Sequence, residues 1–370
     1  MGAYIAKRLL LMLPTLFGIM LMTFAIIQFV PGGPIERIIA QIQGTAVDAT
    51  ARIGGQSGSE TGRAPEAGGI GDASVAIKYR GAQGLDPEFI KKLEVQFGFD
   101  KPAHERFFLM MKNYLTFNFG DSYFRDKPVV DLMIEKMPVS ISLGLWLVLI
   151  TNFISIPLGI RKAVKDGSRF DTWTSAVVIV GYAIPGFILA VFLIVMFAGG
   201  SYFSWFPLRG LTSDNFASFS VFGKIVDYAW HLVLPLIALG IGGFATPTLL
   251  TKNSFLDEIR KQYVVTARAK GLTERRVLYG HVFRNAMLIV IAGFPAAFLW
   301  AFFTGSLLIE QIFSLDGLGL LTFNAAVNRD YPVFFANVYI FTLVGLLVAL
   351  LSDLTYTFVD PRIDFESREL

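Results

Sequence analysis

The sequence predicts an all-α membrane protein that crosses the bilayer six times, and two observations support this fold class. First, 54% of the 370 residues are hydrophobic and only 16% are charged, whereas a soluble protein carries about 25% charged residues. Second, charges are missing from six windows that each reach the roughly 20 residues a helix needs to cross a bilayer. These windows are residues 9–30, 139–160, 173–198, 229–251, 286–309 and 333–352. One such window also fits a buried core helix, but six in one chain favour membrane spans.

The first window resembles a secretory signal peptide, because Lys7 and Arg8 precede it. Its apolar run 9–30 is longer than the about 7–15 residues of a cleavable signal, and no A-x-A-like cleavage site follows. Residues 1–30 are therefore predicted to remain as the first transmembrane helix. The chain has no cysteine, so a disulfide framework and a thiol nucleophile are excluded.

The positive charges of the short loops predict the orientation. Loop 161–171 holds four Lys or Arg residues and loop 252–284 holds eight, whereas 199–228 holds two and 310–332 holds one. Basic and poorly charged loops thus alternate along the chain. Both termini, including the tail 359–370, are predicted to be cytoplasmic.

The connection 31–138 is long and is predicted to face outward, as a periplasmic loop region. Its part 44–84 carries ten glycines, which predicts a flexible insert. The part after it predicts helices that start at Pro87 and near Pro102, and a third over 129–137. A structural cap on the membrane surface and a docking platform for an external partner both fit these residues.

Catalysis and ion coupling receive little support from the sequence. The middle of each window lacks the ionisable groups that proton relays and ion-coupled carriers keep in the membrane. The three histidines, His104, His231 and His281, fall in three different parts of the predicted topology and are not expected to share a metal. The G-x-S-x-G turn and the G-x-x-x-x-G-K-[ST] loop do not occur. We expect no cofactor on this chain, and any ATP to be bound by another chain.

The inner loop 252–284 predicts two helices separated by a glycine. Ser254 or Asn253 is predicted to cap a helix that runs to Lys270, with acidic residues in its first turn and basic residues in its last. Gly271 fits the left-handed position that ends a helix. Thr273 is predicted to cap the second helix.

Two interpretations of the first inner helix stay open on its residues alone. The small side chain of Ala267 lets another surface approach, and the cations of Arg268 and Lys270 can pair with acidic groups on that surface. Alternatively, an amphipathic helix of this composition lies on anionic lipid.

Residues 263–271, YVVTARAKG, resemble the EAA loop of ABC-importer permeases in its oligopeptide/dipeptide form. Ala267 and Gly271 match the general E-A-A-x-x-x-G pattern, while Val265 and Thr266 replace its first two residues. Other segments resemble the same family: PGGP at 31–34, FGFDKP at 97–102, HVFRNAMLI at 281–289, IEQIFS at 309–314, GLG at 317–319, RDYP at 329–332 and DPR at 360–362. Within it, GSRFDTW, GGSYF and KNSFLDEIRKQYVVTARAKG are most similar to the YejB-type permeases, which are linked to peptide and microcin C uptake.

The resemblance implies the fold of a type I ABC importer permease, with a five-helix core over 139–358 and a cytoplasmic coupling loop at 252–284. It implies a bacterial inner-membrane location and transport of oligopeptides, with murein peptides and microcin C-like peptides among the candidates. It also implies partners: a second homologous permease, ABC ATPase subunits that hold ATP and Mg, and a periplasmic peptide-binding protein. It implies no nucleic-acid partner and no enzymatic activity on this chain.

The resemblance also implies two groups of contact residues. The ATPase-coupling residues are Tyr263, Ala267, Arg268, Lys270 and Gly271. Contact with the periplasmic partner is expected at 44–84 or at 310–332, and in the latter at Asp316, Gly317, Arg329 and Asp330. Two other classes of function remain: a channel or secondary carrier that works without an ATPase, and a membrane-embedded enzyme.

Overall fold

The computed structural model describes most of the chain as helices joined by short connections. The described residues are 2–30, 32–42, 87–200, 202–303 and 307–359. The insert predicted at 44–84 lies wholly outside the described residues, and so do residues 360–370 of the tail.

The helices of the described residues are numbered here in chain order. They are α1 (Gly2–Phe29), α2 (Pro34–Ile42), α3 (Pro87–Gln96), α4 (Ala103–Tyr114), α5 (Val129–Val164), α6 (Arg169–Ala183), α7 (Gly186–Phe197), α8 (Val221–Gly240), α9 (Ala245–Ile259), α10 (Gln262–Ala269), α11 (Glu274–Val277), α12 (Phe283–Ala286), α13 (Leu288–Phe303), α14 (Leu307–Ile312), α15 (Leu318–Asn328) and α16 (Tyr331–Val359). A 3₁₀ turn at Phe216–Ser218 precedes α8, and a π-helix at Leu278–Val282 joins α11 to α12.

The predicted all-helical membrane fold is confirmed. Four described helices are long and apolar enough to cross a membrane: α1, α5, α8 and α16. Two bent pairs of helices bring the number of spans to six when each pair is counted as one span. In these pairs, α6 and α7 meet at 90°, and the helices from Glu274 to Pro295 bend by 44°. The first bend lies at Ile184 and Pro185, where the proline disfavours a helical conformation of the residue before it; Ile184 has an extended ψ of 118°.

The structure differs from the sequence prediction at two element boundaries. The helix predicted over 129–137 is not separate, because α5 continues from it through Pro138 and Pro157 for 36 residues. Prolines inside membrane helices are tolerated where neighbouring groups satisfy the freed backbone carbonyls. The window 229–251 is also split, since α8 ends at Gly240 and α9 begins at Ala245.

The chain divides into two compact units. The first unit comprises 1–8, 137–319 and 345–370, and the second comprises 9–136 and 320–344. In the second unit, α2 and α3 share an apolar cluster that contains Ile90, Leu93 and Phe97. The helix α3 begins at Pro87 as predicted.

Candidate functional site

The inner loop has a different helix arrangement from the one predicted. The helix α9 runs through Ser254 to Ile259, and a separate helix α10 starts at Gln262. Ser254 is therefore not a helix cap, and its hydroxyl instead donates a hydrogen bond of 2.5 Å to the carbonyl oxygen of Ala286. Asp257 and Glu258 therefore lie in the last turn of α9. The prediction placed them in the first turn of the helix that runs to Lys270.

One face of α10 packs against the rest of the first unit. Val264 and Ala267 belong to a buried cluster with Phe255 of α9 and with Ile160 and Ala163 of α5. Ala267 is only 8% exposed, so its small side chain fits against the chain's own core. The loop therefore has an apolar floor that fixes α10 in place.

The opposite face of α10 is exposed. The exposed residues of this face are 262, 265, 266 and 269, and this spacing places them on one side of a helix. This exposed stripe consists of Gln262, Val265, Thr266 and Ala269. Val265 is 50% exposed despite its apolar side chain. An exposed side of small and uncharged residues leaves room for close approach by another surface.

Polar side chains hold both ends of α10. The hydroxyl of Tyr263 donates to Glu258 Oε2 at 2.8 Å, and the same carboxylate pairs with Lys261. Burial raises the pKa of the Tyr263 hydroxyl, a hydrogen bond with Asn285 lowers it in part, and the Glu258 carboxylate raises it further. At the other end of α10, the Arg268 guanidinium binds the Glu274 carboxylate of α11. Its Nη2 atom lies 3.0 Å from Oε2, and its Nε atom lies 2.9 Å from Oε1.

The predicted glycine stop at the end of α10 is confirmed. Gly271 has a φ of +79°, which L-residues with a side chain rarely adopt. A Cβ atom built at Gly271 meets nothing within 4 Å. Backbone strain alone therefore limits this position.

We expect Gly271→Ala to destabilise the loop by roughly 1–2 kcal/mol, because the left-handed conformation disfavours alanine. Gly271→Asn is the matched variant and should cost less, since asparagine visits this conformation more readily. Thermal unfolding of the two purified variants in detergent measures the difference. Equal unfolding temperatures for alanine and glycine would contradict the assignment of strain.

The five predicted coupling residues occupy two different environments. Tyr263 and Ala267 face the chain's own interior, whereas Arg268, Lys270 and Gly271 are exposed. Their contact with another protein stays a prediction. The exposed stripe itself was missed from the sequence, because valines and alanines fall on both sides of the helix and only the tertiary packing shows which side is buried.

A buried ionic network lies next to this loop and was also missed. The side chain of Lys162, at the end of α5, is 0% exposed and its Nζ lies 3.0 Å from Asp171 Oδ1. Lys252 of α9 lies 2.7 Å from the other oxygen of the same carboxylate and 2.9 Å from Asp166. Burial lowers the pKa of Lys252, but the carboxylates outweigh this effect and raise it above the usual value.

Asp316 and Gly317, two of the predicted periplasmic contact residues, belong to the first unit. Asp316 is exposed, but Gly317 is buried. A Cβ atom at Gly317 would lie 2.6 Å from Cδ of Glu310, so this position accepts only glycine without a shift of that carboxylate. Glu310 in turn lines a mostly apolar cavity of about 690 Å³ within the same unit.

Arg329 and Asp330, the other two, belong to the second unit. Arg329 has a φ of +63°, and Asp330 is only 5% exposed. The Asp330 carboxylate accepts hydrogen bonds from the Ser122 hydroxyl at 2.5 Å and from the Tyr123 backbone N–H at 3.1 Å. Burial raises the pKa of Asp330, although these hydrogen bonds lower it in part. The carboxylate thus binds residues 122–123 of the same unit.

Asp330→Ala is expected to lower the free energy of unfolding by about 1–3 kcal/mol, because two buried donors lose their acceptor. Asp100 is exposed, and Asp100→Ala should change little. Thermal unfolding of both variants tests this expectation. An Asp330→Ala protein that unfolds at the same temperature as the wild type would show that the carboxylate has no structural role.

No group of three or more His, Cys, Asp or Glu side chains within the described ranges is placed to hold a metal ion.

Residues 155–365 match the family model described as "Binding-protein-dependent transport system inner membrane component". This range includes α9, α10 and the exposed stripe. The chain belongs to this family. It is a multi-pass protein of the inner membrane, as the apolar helices also indicate.

Three permease proteins are similar to this chain over at least 99% of its length. The peptidoglycan transport system permease protein YejB of Agrobacterium fabrum is 64% identical over 370 residues, covering 100% of both chains. The inner membrane ABC transporter permease protein YejB of Escherichia coli O157:H7 is 58% identical over 368 residues, again covering 100% of both. The oligopeptide transport system permease protein AppB of Bacillus subtilis is 31% identical over 366 residues, covering 99% of this chain and 100% of its own. The resemblance to peptide permeases is thus confirmed.

Proposed function

We propose that the chain is a permease subunit of an ATP-driven importer that carries peptides across the bacterial inner membrane. The observation that carries this proposal is the full-length identity of 64% and 58% with two YejB permeases. One of these relatives is named for peptidoglycan transport, which supports peptides released from peptidoglycan as substrates. Ordinary oligopeptides are the alternative, supported by the name of the more distant AppB relative.

The exposed stripe of α10 is the proposed docking surface for an ATPase subunit. The buried cluster beneath Val264 and Ala267 supports this role, because a docking helix must pass force into the membrane helices rather than yield. Lys270 flanks the stripe and can pair with an acidic group of the ATPase. Arg268 can do so by exchanging its bond to Glu274. ATP and Mg are bound by that subunit, and this chain contributes no enzymatic step.

The remaining partners follow from the same assignment. A second, homologous permease completes the pathway, and a periplasmic binding protein delivers the peptide. The inner loop 252–284 and both termini face the cytoplasm, as the distribution of Lys and Arg among the short loops supports. The outer contact residues Asp316 and Arg329 then lie on the side from which peptide arrives.

Co-purification from membranes tests the assembly. The tagged chain is expected to bring down an ATPase and a second permease, and the isolated complex should hydrolyse ATP. A chain that purifies alone and conducts solute in liposomes without ATP would instead be a channel or secondary carrier.

A further inference from the structure

We propose, on the basis of the function above, that Lys162 is a positioning residue that makes α6 move together with α5 and α9. The movement of the docking helix α10 would then reach the bent span formed by α6 and α7. Nothing in the sequence resemblance concerns this residue.

Lys162 connects the end of α5 to the first turns of α6. Its Nζ donates to the backbone oxygen of Asp171 at 2.9 Å, to the Thr174 hydroxyl at 2.9 Å and to the Ser175 hydroxyl at 2.6 Å. With the Asp171 carboxylate at 3.0 Å, four oxygens surround an ammonium group that has three N–H donors. One side chain thus binds residues 171, 174 and 175, which lie on one side of α6.

Asp171 extends this connection to α9. Its Oδ2 atom lies 2.7 Å from Nζ of Lys252, and it also accepts the backbone N–H of Gly167 at 3.2 Å. The two oxygens of one carboxylate therefore join a lysine of α5 to a lysine of α9. Removing either lysine would separate the helices that Asp171 now joins.

The helices α5 and α9 are in direct contact beside the network. A Cβ atom at Gly159 would lie 2.7 Å from Cβ of Thr251 and 2.8 Å from the carbonyl oxygen of Thr248. The Ser155 hydroxyl also donates to the carbonyl oxygen of Phe244, just before α9, at 3.3 Å. The same α5 segment supplies Ile160 and Ala163 to the floor of α10. The network and the loop floor are therefore parts of one packed block.

The cost of burying Lys162 indicates that it has a specific role. Taking an ion pair out of water carries a large desolvation cost, and replacing the pair with apolar side chains of similar volume often leaves a protein as stable or more so. A buried pair instead fixes one geometry, since only one arrangement of the helices satisfies all of its hydrogen bonds. Methionine at this position would fill the space but would join none of the three helices.

The test uses the assembled importer in proteoliposomes and two variants with the same charge change. Lys162→Met removes the network, and Lys165→Met removes an exposed lysine just after the same helix. We expect Lys162→Met to lower the peptide taken up per ATP hydrolysed by about tenfold. Lys165→Met should stay within about twofold of the wild type.

A distance measurement separates positioning from mere stability. The chain has no cysteine, so cysteines introduced at Arg169 of α6 and Arg276 of the inner loop are the only spin-labelling sites on it. The partner subunits are used in cysteine-free form. In the wild type, the distance distribution should be narrow and should stay the same with and without trapped nucleotide. Lys162→Met should broaden it, and Lys165→Met should not.

An unchanged distribution in Lys162→Met together with normal uptake per ATP would overturn the proposal. If the Lys162→Met complex fails to assemble, the same distance is measured in Ser175→Ala, which removes one hydrogen bond of Lys162. A distance distribution as narrow in Ser175→Ala as in the wild type would then overturn the proposal. The nucleotide-free distance needs neither peptide nor ATP turnover. It therefore decides the role of Lys162 even if the wild type shows no ATP-driven uptake, which would overturn the proposed function instead.

Discussion

Ala269→Trp is expected to reduce ATP-driven peptide uptake by about tenfold or more while the permease stays folded in the membrane. Ala269 lies in the exposed stripe of α10, so a large ring there blocks close approach by the ATPase without disturbing the chain's own packing. Uptake and ATP hydrolysis by the reconstituted complex measure the effect. The amount of ATPase subunit that co-purifies with the variant should fall as well.

Two controls make this result specific to the stripe. Lys165→Trp adds the same ring at an exposed position outside the inner loop and should leave uptake unchanged. Ala267→Trp is unsuitable, because Ala267 is buried and the ring would disrupt the loop floor itself. Normal uptake by the Ala269→Trp complex would remove the stripe as the docking surface.

Gly159→Ala is expected to lower the free energy of unfolding by about 1–3 kcal/mol, the usual cost of overpacking. The added methyl group would lie 2.7 Å from Cβ of Thr251 and 2.8 Å from the backbone oxygen of Thr248. A backbone atom does not move aside as a flexible side chain does, so α5 and α9 must separate. Thermal unfolding in detergent gives the change.

Gly293→Ala is the matched control for this substitution. Gly293 lies inside α13, and a Cβ atom there meets nothing within 4 Å. Alanine should be neutral or should stabilise the protein by up to about 1 kcal/mol, because glycine is unfavourable inside helices. If both variants unfold at the same temperature, the contact between α5 and α9 is looser than the structure shows.

The helical membrane architecture was predictable because it depends on local composition. The length of a window without charges can be counted directly, and each of the six windows overlaps a described helix or bent pair that is long and apolar enough to span. The glycine that ends α10 was predictable for a similar reason, since a positive φ favours glycine wherever it occurs. These features need no knowledge of which helices meet.

The details of the candidate site were not predictable because they depend on distant contacts. Ser254 has the chemistry of a helix cap, but its hydroxyl bonds the carbonyl of Ala286, 32 positions away. In the sequence, Lys162 is one of four positive charges in a loop predicted to be cytoplasmic. In the structure it belongs to an ionic network in which Lys252 bonds Asp171 from 81 positions away. A single sequence has no pattern that pairs such residues.

The central claim is that this chain moves peptide only when an attached ATPase works. The most direct measurement is uptake of a labelled peptide into proteoliposomes that contain the complete complex, with the binding protein outside and ATP inside. We predict uptake that requires both ATP and the binding protein, and that stops when the ATPase subunit is made unable to hydrolyse ATP. Equal uptake without ATP would contradict the account and would make this chain a channel or a secondary carrier.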